Sequence, residues 1–198
     1  MADKFLEKKE KILDSALQIF VTKGYSEARM DDIVELSGMS KGAIYYHYKS
    51  KKDLFLALIE HWETTAFPDF YEKNKNGVPA SEILKSFANV VADVFEQRKY
   101  VFLAEVEFWA LANRDVDVQG RTKHLYQKIL SLFEKVLRNG IDSGEFKNLN
   151  PKMAAIAIMT TLQGVNWFCI FEHNEFSARE YLNEVIEFMI QGFKIKPA

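Results

Sequence analysis

Apolar residues recur every three or four positions along most of the chain, the spacing that places them on one face of an α-helix. The first such stretch covers residues 5–22 and is followed by Gly24, a residue type that commonly ends helices. The other predicted helices cover residues 31–36, 41–48, 51–71, 80–97, 100–113, 118–143, 151–171 and 177–193. Because no alternating run bounded by hairpin turns interrupts this pattern, the sequence predicts an all-α protein of about nine helices.

Helix-capping residues support several of these boundaries. Ser50 with Asp53, and Ser177 with Glu180, match the capping-box pattern at the start of a helix. Asn150 stands directly before a proline, an arrangement that favours the first turn of a helix. The stretch 74–79 is polar and turn-forming, so we expect a linker there.

The stretch 153–171 carries no formal charge and is long enough to span a bilayer. Its middle contains polar or small residues, which are unfavourable at the centre of a bilayer. They are Thr160, Thr161, Gln163, Gly164 and Asn166. We therefore interpret the stretch as a largely buried helix of a soluble protein and predict no membrane association.

The composition indicates a globular protein in a reducing compartment. Of 198 residues, 48% are hydrophobic, and 26 basic against 28 acidic side chains give a net charge of −2, which excludes the disordered and low-complexity classes. Cys169 is the only cysteine, so internal disulfides and multi-cysteine zinc sites are excluded. Residues 1–10 mix charges instead of forming an apolar run, so we expect no secretory signal and a cytoplasmic location.

The residue pattern does not indicate an enzyme, a cofactor or a metal site. Glu105 and Glu107 point about 200° apart on a helix, so they cannot share a catalytic site. The chain has no phosphate-binding loop, dinucleotide-binding fingerprint or nucleophile elbow. Three of the four histidines, His61, His124 and His173, are too dispersed in sequence to suggest a pair of metal ligands.

The region 31–48 predicts two short helices joined by the turn Ser37-Gly38-Met39-Ser40. Two short helices crossing steeply through a glycine-containing turn form a helix-turn-helix, whose second helix can enter the DNA major groove. An arc of roughly 140° on that helix holds Lys41, Gly42, Tyr45, Tyr46 and Lys49. Ile44 and Tyr48 point to another side, so one face can pack on the protein while the other meets a ligand.

Positive charge is concentrated at this motif. Residues 40–52 contain four lysines and no acidic residue, whereas residues 54–198 contain 16 basic and 19 acidic side chains. Ammonium groups, backbone N–H groups at a helix start and tyrosine hydroxyls suit contact with phosphates, and Gly42 allows a close approach of the backbone. We interpret the motif as a surface for a polyanion; an ordinary solvated charged face is the alternative.

Several short motifs follow one another in order near the N-terminus. They are Gly24-Tyr25, Asp32-Ile33, Ser37-Gly38-Met39-Ser40-Lys41-Gly42, Tyr45-Tyr46-His47-Tyr48-Lys49-Ser50-Lys51 and Asp53-Leu54. Together they resemble the N-terminal DNA-binding domain of TetR-family transcriptional regulators. The resemblance implies an all-helical homodimer that reads a roughly palindromic operator. It also implies that a ligand in the C-terminal domain changes the separation of the two recognition helices.

The resemblance places a set of residues at the DNA, with Lys51 opening the next helix against a phosphate. Ala28, Arg29 and Met30 stand where the family often has a hydroxyl residue that caps the first motif helix, and Arg29 can supply a charged phosphate contact instead. Tyr48 stands where phenylalanine is usual, and its hydroxyl needs a partner or solvent. The predicted DNA-binding residues are Arg29, Ser40, Lys41, Gly42, Tyr45, Tyr46, His47 and Lys51. For His47, packing at the motif's edge is the alternative.

We predict two domains: residues 1–50 for DNA binding, and residues 51–198 for ligand binding and dimerisation. The second is rich in aromatic residues that can enclose a small, largely apolar effector, although aromatic residues at helical spacing more often form a core. The predicted lining residues are Trp62, Phe102, Phe108, Trp109, Tyr126, Gln163 and Trp167. We expect a repressor that this effector releases; the alternative is a DNA-binding regulator without an effector, acting constitutively or through a protein partner.

The last two predicted helices, 151–171 and 177–193, are strongly apolar. The family resemblance implies that they pair with the same helices of a second copy in a four-helix interface. Packing within one subunit is the alternative.

Overall fold

The computed structural model describes residues 2–65, 77–171 and 175–195, without the side chains of residues 2–5 and 62–65. The regular structure in these ranges is helical, apart from one isolated bridge between Phe146 and Lys194. The helices are α1 (Ala2–Glu27), α2 (Met30–Ser37), α3 (Lys41–His47), α4 (Lys51–Thr65), α5 (Ala80–Gln97), α6 (Tyr100–Ala112), α7 (Val116–Asp142), α8 (Pro151–Leu162), α9 (Val165–Ile170) and α10 (Ala178–Phe193). The all-α prediction is confirmed.

The chain forms two compact units whose residues are not contiguous in sequence. The first contains Met1–Thr65 together with Leu103–Leu125, and the second contains the remaining described residues. Most of α6 and the beginning of α7 therefore belong to the same unit as the N-terminal helices. This compact unit is larger than residues 1–50, the segment that we assigned to DNA binding.

The core of the first unit forms on the inward faces of α1 to α4. Ile33 of α2 and Ile44 of α3 are completely buried, as the helical pattern predicts. The rings of Phe20, Tyr25 and Phe55 form a cluster with centroids 4.8–5.6 Å apart. Phe108 of α6 meets the Phe55 ring edge-on at 5.1 Å, so the segment 103–125 contributes to this core.

The second unit is built on α5, which packs along α10. Phe87 of α5 is buried and meets the Phe133 ring of α7 at 4.8 Å. The start of α5 is capped from a distance, because the Glu145 carboxylate accepts hydrogen bonds from the backbone N–H groups of Ala80 at 2.6 Å and Ser81 at 3.0 Å. At the other end of α5, Arg179 donates to both Asp93 and Glu96.

The helix predicted over 151–171 is divided in two at Gln163 and Gly164. The Tyr181 hydroxyl donates to the carbonyl of Thr161 at 2.8 Å and occupies the space that a Cβ at Gly164 would need. This contact comes from α10 and has no signature in the local sequence. The segment Pro151–Ile170 is long and apolar enough to cross a membrane by length and composition alone, but it is interrupted at Gln163 and Gly164. Its apolar stretch is 39% buried, which is less than the largely buried helix that we predicted.

Candidate nucleic-acid interface

Local chemistry explains why residues 30–48 fold as two helices with a tight turn. Gly38 adopts the left-handed conformation, with φ 63°, and its N–H bonds back to the carbonyls of α2, an ending that favours glycine. Ser40 then caps α3, since its hydroxyl accepts a hydrogen bond from the N–H of Ala43 at 3.2 Å. The buried Ile44 holds α3 against the rest of the unit. The predicted helix-turn-helix is therefore present.

The outward side of this motif carries most of the predicted DNA-binding residues. Tyr46 is 73% exposed, and Arg29, Ser40, Lys41 and Gly42 are also exposed. A Cβ at Gly42 would meet nothing within 4 Å, so the backbone is open there to a close partner. The two remaining aromatic residues of α3, Tyr45 and His47, are half-buried.

His47 lies at the edge of the motif. Its ring meets Tyr46 edge-on at 5.3 Å and lies 6.3 Å from the ring of Tyr48. These contacts fit the packing role that we considered for His47, while its half-exposed face is compatible with a phosphate.

Two acidic residues of α2 pair with lysines. The Lys41 ammonium lies 2.6 Å from the Asp31 carboxylate, which raises the pKa of Lys41. The Asp32 carboxylate lies 2.8 Å from the Lys23 ammonium and also accepts from the N–H of Arg29 at 2.9 Å; both contacts lower the pKa of Asp32. Asp32 therefore satisfies the N–H of Arg29, the residue that precedes α2, whereas Asp31 is directed at a predicted DNA contact.

Lys51 is engaged within the protein. Its ammonium donates hydrogen bonds to the carbonyls of Tyr25 at 2.6 Å, Ser26 at 3.0 Å and Ala28 at 2.9 Å. It also lies 4.5 Å from the centre of the Tyr25 ring. A lysine ammonium has three donors, so in this geometry none is left for a phosphate.

Tyr48 carries the hydroxyl that distinguishes it from the usual phenylalanine. The residue is buried, and its hydroxyl oxygen has no hydrogen-bond partner among the described residues. Burial raises the pKa of Tyr48 to about 12, because the charged phenolate is disfavoured away from water. The hydroxyl is therefore a source of instability.

Sequence reasoning missed a group of long-range contacts inside the first unit. The Lys52 ammonium lies 2.8 Å from Asp115 and 2.6 Å from Asp117. Arg121 pairs with Glu60 in the same unit. These contacts join α4 to the beginning of α7 and the loop before it. Because the partners are more than sixty positions apart, no helical spacing rule could have found them.

The predicted effector-binding residues occupy different environments. Phe108 and Phe102 are buried in the first and second units, where each packs on another phenylalanine, Phe55 and Phe95 respectively. Trp109 in the first unit and Tyr126 and Trp167 in the second are exposed, and Gln163 is half-buried. The Trp62 side chain lies outside the described residues.

One surface cavity of about 840 Å³ lies in the second unit, and none of the predicted lining residues borders it. It is lined by Gly77, Val78, Pro79, Ala80, Ile83, Asn139, Asp142, Ser143, Glu145 and Lys194. Within the described residues, no cluster of three or more His, Cys, Asp or Glu side chains is arranged to hold a metal.

Comparison with known proteins identifies the class to which this fold and interface belong. The family model of bacterial regulatory proteins of the tetR family matches residues 12–58, and the model of the tetracyclin repressor-like C-terminal domain matches residues 78–169. The chain therefore belongs to the TetR family of DNA-binding transcriptional regulators, which are not enzymes. The motif described above is the family's DNA-binding element.

Several relatives extend over most of the chain. The uncharacterized HTH-type transcriptional regulator YfiR of Bacillus subtilis is 28% identical over 155 residues, which are 76% of this chain and 73% of that protein. The crystal structure of the regulator FadR from Bacillus subtilis in complex with stearoyl-CoA has 19% identity and a TM-score of 0.81, covering 93% of this chain and 98% of FadR. A transcriptional regulator from Saccharomonospora viridis in complex with choline has 18% identity and a TM-score of 0.83, covering 96% and 99%. These two structures support the fold.

Proposed function

We propose that this protein is a cytoplasmic repressor that binds a roughly palindromic operator as a homodimer and is released by a small, largely apolar molecule. The observation that carries the proposal is the outward surface of α3, which presents Lys41, Gly42 and Tyr46. Ile44, on the opposite face of the helix, is buried and anchors α3 to the protein. Such a surface fits a major groove, with α3 as the recognition helix.

The proposed contacts divide by chemistry. Arg29 and Lys41 neutralise phosphates, and the hydroxyl of Ser40 and the backbone at Gly42 meet the sugar-phosphate chain. Tyr45, Tyr46 and His47 meet base edges or phosphates from the exposed side of α3. Because lysine and arginine release condensed counterions when they meet phosphates, operator affinity should fall steeply as salt concentration rises.

We propose that dimerisation uses the last two predicted helices, 151–171 and 177–193, which the structure forms as α8 with α9, and as α10. Large apolar side chains remain exposed in this region of the second unit: Met153, Trp167, Ile170, Phe171 and Phe188. The Trp167 and Phe171 rings stack at 5.6 Å with 13° between their planes, which gives a flat apolar surface. Such side chains are suited to a second copy, since exposed apolar patches of this kind commonly mark interfaces.

The proposed mechanism is a shift between two populations of the dimer. An operator selects dimers whose recognition helices are spaced for successive major grooves. An effector that binds better to a differently spaced dimer reduces the DNA-competent fraction by its differential affinity. The relatives bound to stearoyl-CoA and to choline support a small-molecule effector.

A second candidate is a TetR-family regulator without a small-molecule effector. The observation that favours it is the packing of Phe102 and Phe108 in separate hydrophobic cores, where each already has an aromatic partner. A residue that fills a core is less available to line a ligand pocket.

Fluorescence anisotropy with a labelled duplex from the protein's own upstream region tests both candidates. We expect wild-type binding that long-chain acyl-CoA or another largely apolar metabolite weakens, with choline and free CoA as comparison ligands. Binding that no ligand in a metabolite extract alters supports the second candidate. If sedimentation shows only monomers at micromolar concentration, the proposed homodimer is wrong.

A further inference from the structure

We propose that Lys51 and Glu107 position the DNA-binding helices by holding the α1–α2 junction, and that Lys51 is not a phosphate contact. The α1–α2 junction is residues 24–29, from Gly24, where α1 loses helical geometry with φ 73°, to Arg29, the residue that precedes α2. The inference rests on the DNA-binding role described above.

Lys51 holds the carbonyl side of the junction. Three carbonyl oxygens, those of Tyr25, Ser26 and Ala28, converge on its ammonium at 2.6–3.0 Å. Carbonyl groups at the end of a helix carry a partial negative charge, so an ammonium is stabilising there. Because Lys51 is the first residue of α4, these hydrogen bonds fix the start of α4 to the end of α1.

Glu107 holds the opposite side of the same junction. Its carboxylate, on α6, accepts a hydrogen bond from the backbone N–H of Tyr25 at 3.4 Å. The Tyr25 ring packs against Phe20 and Phe55 in the core of the first unit. Three separate parts of Tyr25 are thus restrained: its N–H by α6, its carbonyl by α4 and its ring by the core.

The junction determines where α2 begins. Ala28 is buried, its carbonyl is bound by Lys51, and the next residue is the N-cap of α2. If the junction loosens, α2 and α3 sample more orientations, and a smaller fraction of molecules presents the recognition helix correctly. Apparent operator affinity falls with that fraction, without the loss of any contact to DNA.

The salt dependence of operator binding separates this positioning role from phosphate contact. We expect Lys51→Gln to weaken binding about ten-fold and Glu107→Ala about three-fold, in line with the loss of hydrogen bonds to a charged group. In both variants the slope of log affinity against log salt should stay that of wild type. For comparison, Lys41→Gln should lower the slope by about 0.9 per DNA-binding head, the value for one phosphate contact.

Glu107→Gln provides the matched control. It removes the same charge as Glu107→Ala but keeps a side-chain oxygen that can accept from the Tyr25 N–H, so we expect operator affinity close to wild type. All measurements are made well below the unfolding transition of each variant, located by circular dichroism. Glu107→Ala tests the junction independently if Lys51→Gln does not fold.

Two results would overturn the proposal. If Lys51→Gln lowered the slope of log affinity against log salt as much as Lys41→Gln does, Lys51 would be identified as a phosphate contact. Unchanged operator affinity in folded Lys51→Gln and Glu107→Ala, with only a lower melting temperature, would mean that both residues stabilise the fold without positioning the DNA-binding helices. If wild type itself binds no operator, the function assigned above fails first, and the inference fails with it.

Discussion

The helix-turn-helix and the second unit differ in how far apart in sequence their defining contacts lie. In the motif, Gly38 and Ser40 act on residues within four positions, and its buried anchors Ile33 and Ile44 are eleven positions apart. In the second unit, by contrast, Arg179 reaches Glu96 from 83 positions away. The two helices and the turn of the motif are therefore encoded locally, whereas the second unit depends on contacts between distant parts of the chain.

The largest expected effect on stability comes from the same substitution made in each region. Ile44→Ala and Ile190→Ala each remove a completely buried isoleucine, and each should lower the free energy of unfolding by about 2–5 kcal/mol. Ile44→Ala should also abolish operator binding, because α3 loses its anchor. Ile190→Ala should retain operator binding at temperatures where the protein is folded. Chemical denaturation and anisotropy measure the two quantities, and equal loss of operator binding in both variants would contradict local encoding.

Two exposed aromatic residues, one in each region, separate DNA binding from dimerisation. Tyr46 is 73% exposed on α3 and Phe188 is 82% exposed on α10, so alanine at either position should change stability by less than about 0.5 kcal/mol. We expect Tyr46→Ala to weaken operator binding about ten-fold and to leave dimerisation unchanged, as expected for a residue at the DNA surface.

Phe188→Ala should instead weaken dimerisation. We expect it to raise the dimer dissociation constant, because an apolar side chain is lost from the proposed interface. Analytical ultracentrifugation measures this constant. Each variant serves as the control for the other, and a dimer defect in Tyr46→Ala or none in Phe188→Ala would contradict the assigned surfaces.

The same contrast explains which predictions succeeded. The helix-turn-helix, the cap at Ser40 and the cap at Asn150 follow from residue types within a few positions, and the structure contains each of them. Gly24 interrupts α1 with φ 73°, but it does not end the helix as predicted, since α1 continues to Glu27. The division of the 151–171 helix was missed, because it depends on the Tyr181 side chain from another helix.

The sequence also predicted Lys51 as a phosphate contact because its position matches a family motif. The structure shows the ammonium bound to three carbonyls of the α1–α2 junction, a long-range contact that no spacing rule contains. Similarly, the absence of acidic residues in 40–52 overstated the free positive charge, since α2 brings Asp31 to Lys41.

A smaller effect is expected where the family pattern and this chain differ. Tyr48→Phe removes a buried hydroxyl that has no described partner, and it should stabilise the protein by about 1 kcal/mol. The pKa of Tyr48 is raised from 10.0 to about 12, so the folded state disfavours the phenolate. The ionisation of Tyr48 therefore leaves the free energy of unfolding unchanged below pH 10 and lowers it as the pH rises from 10 towards 12.

Thermal unfolding of wild type and Tyr48→Phe at neutral and alkaline pH measures both effects. We expect the stability gain of the variant to grow above pH 10, because phenylalanine cannot ionise. A loss of stability at neutral pH would show that the hydroxyl makes a favourable contact. Tyr25→Phe preserves the ring packing of the first unit. It provides the comparison at a second tyrosine whose pKa is raised, mainly by burial.

The smallest effect concerns the acidic residue on the DNA-binding motif. The Asp31 carboxylate competes with phosphates for the Lys41 ammonium, so Asp31→Asn should strengthen binding to a duplex of random sequence about two- to five-fold, the range of an exposed ion pair. Glu35→Gln removes an equal charge from the same helix and is the matched control. The gain of Asp31→Asn should exceed that of Glu35→Gln and should shrink in a Lys41→Gln background. Equal gains from the two acidic residues, in both backgrounds, would mean that net charge alone controls non-specific binding and that Asp31 does not restrain Lys41.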